Sequence, residues 1–298
     1  MEKAESNIKL GIACIIASAF CFSLMSLFIR LSGDVPVMQK CFFRNAVAFV
    51  MAFVVMSRAR QRFVVEPGNW KYMFIRAGAG TLGIFLNFYA VDHLAISDAS
   101  ILNKLSPFFA IIFSAFVLKE VARAGEWLAV IVAFIGAVFV IRPGIDMMAS
   151  FPAIVGMLSG CFAGLAYTYL RKLRQRGQNG MSIVMFFSGF SSLCFLPSLI
   201  FDYRPIAPWQ WFFLFMTGVA ALGGQVFITK AYAYAPAKEI SVYDFSNVVF
   251  SALWGFLFLS QIPDPLSVVG YIIIIGTAVV KWRISLKKDE ESLEKIQE

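Results

Sequence analysis

The chain has 298 residues, of which 59% are hydrophobic and 15% charged, and its formal charge is +8. A mean hydropathy of +0.75 is more than one water-soluble core of this length can hide, so a soluble domain is excluded and a polytopic membrane protein expected. The basic residues fall between apolar runs rather than on one face, which argues against nucleic acid as a partner and for membrane orientation.

Residues 1–9 form a short segment of mixed charge, and the first apolar run follows as Leu10–Ile29. Ala17-Ser18-Ala19 has the small-residue form of a signal-peptidase site, but apolar residues continue past it, so a spanning helix is expected rather than a cleaved signal. Nine more runs come after it: Val35–Met56, Trp70–Val91, Ser97–Leu118, Gly125–Ile141, Pro152–Leu170, Ser182–Phe201, Trp209–Ala231, Ile240–Leu259 and Leu266–Val280. Runs of about 20 apolar residues match a hydrocarbon layer about 30 Å thick, so an all-α bundle of ten transmembrane helices is predicted. The loops leave no room for a globular domain, and residues 284–298 read as a solvated charged tail.

Arg58, Arg60 and Arg62 follow the second run, Arg171, Lys172, Arg174 and Arg176 the sixth, and Lys281 to Lys288 the tenth. In a chain of ten helices these loops share one side. Asp34, Asp92, Asp98, Asp146, Asp202 and Asp264 gather on the other, so the positive-inside rule puts both termini in the cytoplasm. Trp70, Trp127, Trp209, Trp211 and Trp282 stand at helix ends, where their rings suit the interface. Cys14, Cys21, Cys41, Cys161 and Cys194 lie in or beside apolar runs without Cys-x-x-Cys spacing and read as small hydrophobes. With His93 as the sole histidine, no zinc site and no cofactor is expected.

The chain repeats itself. Arg76–Pro143 and Met216–Arg283 align without a gap at an offset of 140, pairing Gly78 with Gly218, Gly83 with Gly223, Ser106 with Ser246 and Gly136 with Gly276. Each unit holds five helices, an odd number, so the second enters the membrane inverted relative to the first. The predicted organisation is therefore one repeat over 10–143 and another over 152–283, with the site near the midplane between them.

Glycines and catalytic motifs read differently. Gly78-Ala79-Gly80-Thr81-Leu82-Gly83 fits a dinucleotide fingerprint by letter, but no strand precedes it, and the glycines are expected to permit close helix packing. The same reading applies to Gly156, Gly160 and Gly164, spaced by four along one helix face. No Walker motif, His-Glu-x-x-His or Gly-x-Ser-x-Gly occurs, so an intramembrane enzyme is the distant alternative.

Polar residues in mid-helix need partners that lipid does not supply. Asn103, Lys104 and Ser106 precede Pro107 in the fourth run; Tyr243, Asp244, Ser246 and Asn247 hold the equivalent window in the ninth. Lys104 and Asp244 occupy matching positions with opposite charge. A lone ammonium in mid-membrane costs roughly 2.5–3.5 kcal/mol on insertion scales, so the two are expected to face a shared cavity, either pairing with each other or binding the charges of a solute. Asn87, Gln225 and Arg44, with Arg30 and Lys40 nearer the membrane edge, complete the polar set, and Trp254 is the tryptophan placed well inside a helix. Asp244 is also the carboxylate through which a coupling proton would run.

On Phe42-Phe43-Arg44, the Ala95-Ile96-Ser97-Asp98-Ala99-Ser100 turn, Pro107, Lys119-Glu120 and the Gly136 to Arg142-Pro143 closure, the sequence resembles the EamA-type transporters of the drug/metabolite transporter superfamily. Ala235-Pro236-Ala237 repeats the turn, while Ser260-Gln261 departs from the family's acidic residue at the place of Glu120. The resemblance implies a secondary transporter in a bacterial inner membrane that moves a small polar solute such as an amino acid, a vitamin or S-adenosylmethionine by alternating access. An efflux facilitator or channel-like uniporter is the alternative. Implied partners are the solute, the lipid bilayer and protons as coupling ion, and a homodimer is compatible with the apolar outer faces.

Overall fold

A computed structural model describes residues 2–119, 124–141, 147–201, 203–234 and 241–297. Glu120, Arg142-Pro143, Asp146, Asp202 and Ala235-Pro236-Ala237, all used in reading the sequence, lie outside these. Ten helical stretches are long and apolar enough to cross a membrane, each overlapping one of the predicted runs. In chain order the helices are α1 (Glu2–Leu31), α2 (Val37–Arg58), α3 (Trp70–His93), α4 (Ile96–Asn103), α5 (Ser106–Val117), α6 (Ala124–Ile141), α7 (Met147–Gln175), α8 (Gly180–Phe201), α9 (Pro208–Tyr234), a 3-10 turn (Ser241–Phe245) leading into α10 (Ser246–Leu259), and α11 (Pro265–Gln297). α11 carries the helix through the charged tail, whose Lys, Glu and Leu content favours helix over coil.

Local chemistry sets several of these ends. Beyond α7, Gly177 takes φ +79°, the Gln178 N–H reaches the Leu173 carbonyl and the Gly177 N–H the Arg174 carbonyl, which satisfies the last free carbonyls of the helix. Asn179 then caps α8, its side-chain oxygen accepting from the Met181 and Ser182 amides. Asp264 does the same for α11 through the Leu266 amide, with Pro265 opening the helix where no N–H is needed.

The fourth span is not the single helix that its hydropathy suggests. Pro107 has no N–H to return to the Asn103 carbonyl, and the helix stops at Asn103 and restarts at Ser106. In the second half, the described part of the ninth span opens on the 3-10 turn, whose residues Tyr243–Phe245 stand 140 positions after Asn103–Leu105.

Helix pairing joins the halves: α1 packs on α9, α3 on α7, α2 on α8, and the broken fourth span on α7 and α10. The glycine stripe of α7 seats against that break. A methyl at Gly160 would stand 2.6 Å from the Leu102 carbonyl oxygen, and one at Gly164 2.7 Å from that of Ser106. The close packing expected of these residues is therefore present. The α3 glycines differ among themselves: Gly83 lies against the α7 backbone, with a built Cβ 3.3 Å from the Ala163 nitrogen, whereas Gly78 faces open space. Gly164→Ala is accordingly expected to lower stability by about 1–3 kcal/mol, and Gly78→Ala to leave it within about 1 kcal/mol of wild type. Thermal unfolding of the two variants in detergent checks both.

Buried polar side chains find partners across these interfaces. Ser18 donates to the Gly224 carbonyl at 2.8 Å, Thr81 and Ser191 share a 2.6 Å bond, and Ser100 donates to Ser251 at 2.8 Å. Between the apolar clusters that flank them lies a cavity.

Candidate functional site

The cavity encloses about 150 Å³ among α1, α2, α3, the fourth span, α7, α8, α9 and the ninth span. Helical periodicity explains how α3 contributes to it: Arg76, Gly80, Gly83 and Asn87 recur at spacings of three and four, which stacks them along one face. From the fourth span come Asn103 and Lys104, and from the ninth Asp244 and Asn247. The helix ends at Asn103, so Lys104 lies outside the regular helix and borders that space.

Lys104 Nζ and Asp244 Oδ2 are 2.5 Å apart, with 14% and 23% of the two side chains exposed. They stand 140 residues apart, at the same register of the two repeats, so equivalent positions of the two halves meet in this pair. Asp244 Oδ1 is buried and without a partner. Asn103 donates to Ser159 at 3.0 Å and Asn247 to the Ala19 carbonyl at 2.9 Å, which ties the fourth and ninth spans to the neighbouring helices.

Of the side chains singled out in the sequence, Arg44, Asn87, Asn103, Lys104, Gln225, Asp244 and Asn247 border the cavity. The other three do not. Ser106 is buried beneath Gly164; Tyr243 sits edge-on to Trp282 and packs beside Ile15; Trp254 donates to Ser23 at 2.9 Å and packs edge-to-face on Phe20. Trp254 is thus corrected to a packing position. Its indole N–H needed an acceptor inside lipid, and the hydroxyl of α1 provides it.

Sequence reading missed Arg76 and Phe187. The Arg76 guanidinium carbon lies 3.9 Å from the Phe187 ring centroid, and that of Arg44 lies 6.0 Å from the same ring. Gly80 makes this arrangement possible, since a methyl there would come within 2.7 Å of Phe187 and 3.1 Å of Arg76. An arginine one turn and more inside an apolar run was the available signal, obscured by the interfacial Trp70 and Lys71 just before it.

A second ion pair lies near one end of the bundle, where α2 and α3 meet. Lys40, 1% exposed, donates to both Asp92 oxygens at 2.7 and 2.8 Å, and Arg30 donates to the Val91 and Asp92 carbonyls. Gln39 on α2 and Gln210 on α9 reach Arg204 and Ser32 on the same face, and Gln261 accepts from the Ile96 amide at 3.1 Å. On the opposite face Gln178 and Arg176 bind Asn69.

Comparison with known proteins agrees with this architecture. Residues 9–142 and 150–282 each match the EamA-like transporter family. The pseudopaline exporter CntI of Pseudomonas aeruginosa is 33% identical over 279 residues, covering 93% of this chain and 97% of that one. Human solute carrier family 35 member G1 is 26% identical, covering 93% and 81% of the two chains; a riboflavin transporter of Brucella anthropi is 21% identical, covering 84% and 89%. A solved crystal structure superposes with a TM-score of 0.64 at 16% identity, over 92% of this chain and 96% of that one.

Proposed function

Because the chain belongs to the EamA-like transporter family, as a multi-pass membrane transporter and not an enzyme, we propose that it is a secondary carrier moving a small polar organic solute by alternating access. The observation that carries this reading is the Lys104–Asp244 pair, which joins equivalent positions of the inverted halves at the wall of a central cavity. Rocking one half against the other separates these residues, so a solute that takes the place of the pair couples its own binding to the motion. In this reading the solute contacts Lys104 and Asp244 directly, with Asn87, Asn103, Gln225 and Asn247 as hydrogen-bonding neighbours.

The similarity to a pseudopaline exporter and to a riboflavin transporter supports an organic metabolite as cargo. Bacterial relatives support a bacterial inner membrane, and the distribution of Lys and Arg supports cytoplasmic termini. Asp244 Oδ1, buried and unpartnered, is the atom at which a coupling proton would arrive.

Proteoliposomes test the proposal. Saturable counterflow, in which internal unlabelled solute accelerates entry of labelled solute, is expected of a carrier. Flux that rises linearly with concentration without trans-acceleration identifies a channel and overturns the reading. Uptake unchanged by an imposed pH gradient removes the proton from the cycle.

A further inference from the structure

Arg44 and Arg76 are 5% and 8% exposed, and both border the cavity. Guanidinium groups stay charged in proteins, so each carries a full positive charge into the interior. Neither is ion-paired among the described residues. Arg44 Nη1 donates to Asn45 Oδ1 at 2.7 Å, which orients its fork, yet Arg44 Nε and Arg76 Nε and Nη1 are buried without any acceptor. Buried charges without partners are costly, and they persist where something else completes them. Arg44, Arg76 and Lys104 stand against the single carboxylate of Asp244 on the cavity wall, leaving two positive charges uncompensated.

We propose that Arg44 and Arg76, both set against the Phe187 ring, form an anion subsite that receives a carboxylate of the transported solute. The inference rests on the carrier reading and specifies its cargo: a net-anionic organic acid, with one carboxylate at the two arginines and its remaining polar groups toward Lys104 and Asp244. Stacking on Phe187 covers a face of the Arg76 guanidinium, so its N–H groups donate from the in-plane edge, where the two coplanar oxygens of a carboxylate fit. Gly80 is part of the site because any side chain there would displace the ring and the guanidinium together.

The purified full chain is screened by thermal shift with acetate, glutarate and tricarballylate, the neutral glutaramide, and glycerol phosphate. Carboxylates are expected to raise the melting temperature where glutaramide does not, and Arg44→Gln and Arg76→Gln to weaken apparent affinity about 10- to 100-fold. Arg76→Lys should recover part of that loss. Without ligand, Arg76→Met is expected to raise the melting temperature by ~2–4 °C, since an unpaired charge has been removed; a merely structural arginine would lower it. Phenylglyoxal labelling of wild-type Arg76, read by mass spectrometry, should be blocked by carboxylate and needs no variant to fold.

Equal stabilisation by glutaramide, stabilisation by glycerol phosphate alone, or carboxylate binding unchanged in both glutamine variants overturns the subsite. Counterflow of a carboxylate that is indifferent to Arg44 and Arg76 overturns it too, while sparing the carrier. Carboxylate protection of Arg76 without counterflow of that carboxylate does the reverse.

Discussion

Replacing Lys104 by Met or Asp244 by Asn is expected to lower transport about 10- to 100-fold, the scale of one lost hydrogen bond to a charged group. Stability should fall less than the 3–5 kcal/mol typical of breaking a fully buried pair, by about 2 kcal/mol, because both side chains retain some exposure to the cavity. The decisive variant exchanges the charges: Lys104→Asp with Asp244→Lys. At 2.5 Å the pair can re-form in reverse, so folding and melting temperature should return to near wild type. Transport should not return. The exchange keeps the net charge but reverses its direction relative to Arg44 and Arg76, and a solute that reads that direction meets the wrong ends. Full transport in the exchanged protein would reduce the pair to a brace between the halves.

A larger loss of stability is expected at the membrane face. Lys40 is 1% exposed and spends two hydrogen bonds on Asp92, whose side chain is 16% exposed. Lys40→Met removes the cation and leaves the carboxylate with no direct counter-charge, a change of about 3–5 kcal/mol for buried pairs and toward the lower end here because Asp92 reaches water. The neighbouring Arg30 fork donates to backbone carbonyls and acts on the carboxylate only through space, so it offsets part of the loss without replacing the two hydrogen bonds. Lys40→Met with Asp92→Leu should regain most of the loss, since two apolar side chains replace the pair without an orphan. Thermal unfolding of the single and double variants reads the difference. A single variant as stable as wild type would show that the contact contributes nothing to holding α1, α2 and α3 together.

Ten spans were legible because about 20 apolar residues in a row have few other uses, and the inverted halves because small residues recur at an offset of 140. The meeting of Lys104 and Asp244 was also legible, since equivalent mid-membrane positions of opposite charge have a strong reason to find each other. Azimuth was not. In water, an apolar stripe marks the inward face of a helix; in a bilayer both faces are apolar, and the sequence does not say which way Trp254 or Arg76 points. Trp254 turned to α1 for its acceptor, while Arg76 turned to the cavity and Phe187. Depth gave no help either, since Arg76 follows closely on Trp70 and Lys71, which suit the interface. The interruption of the fourth span was signalled by Pro107, but its seat against Gly160 and Gly164 depends on which helices pair, and that is a property of the assembled bundle.

An ion pair between equivalent positions of the two repeats also demands that the repeats differ. Two identical subunits meeting at this position about a twofold would present the same residue from each side, two ammonium groups or two carboxylates within 2.5 Å of one another, and like charges at that distance repel. A pair of identical halves therefore could not hold this contact. Only unlike halves, one carrying the base and the other the acid, can do so, and the polarity of the site is where the two repeats cease to be interchangeable. A chain cut between its halves should reassemble only as unlike pairs.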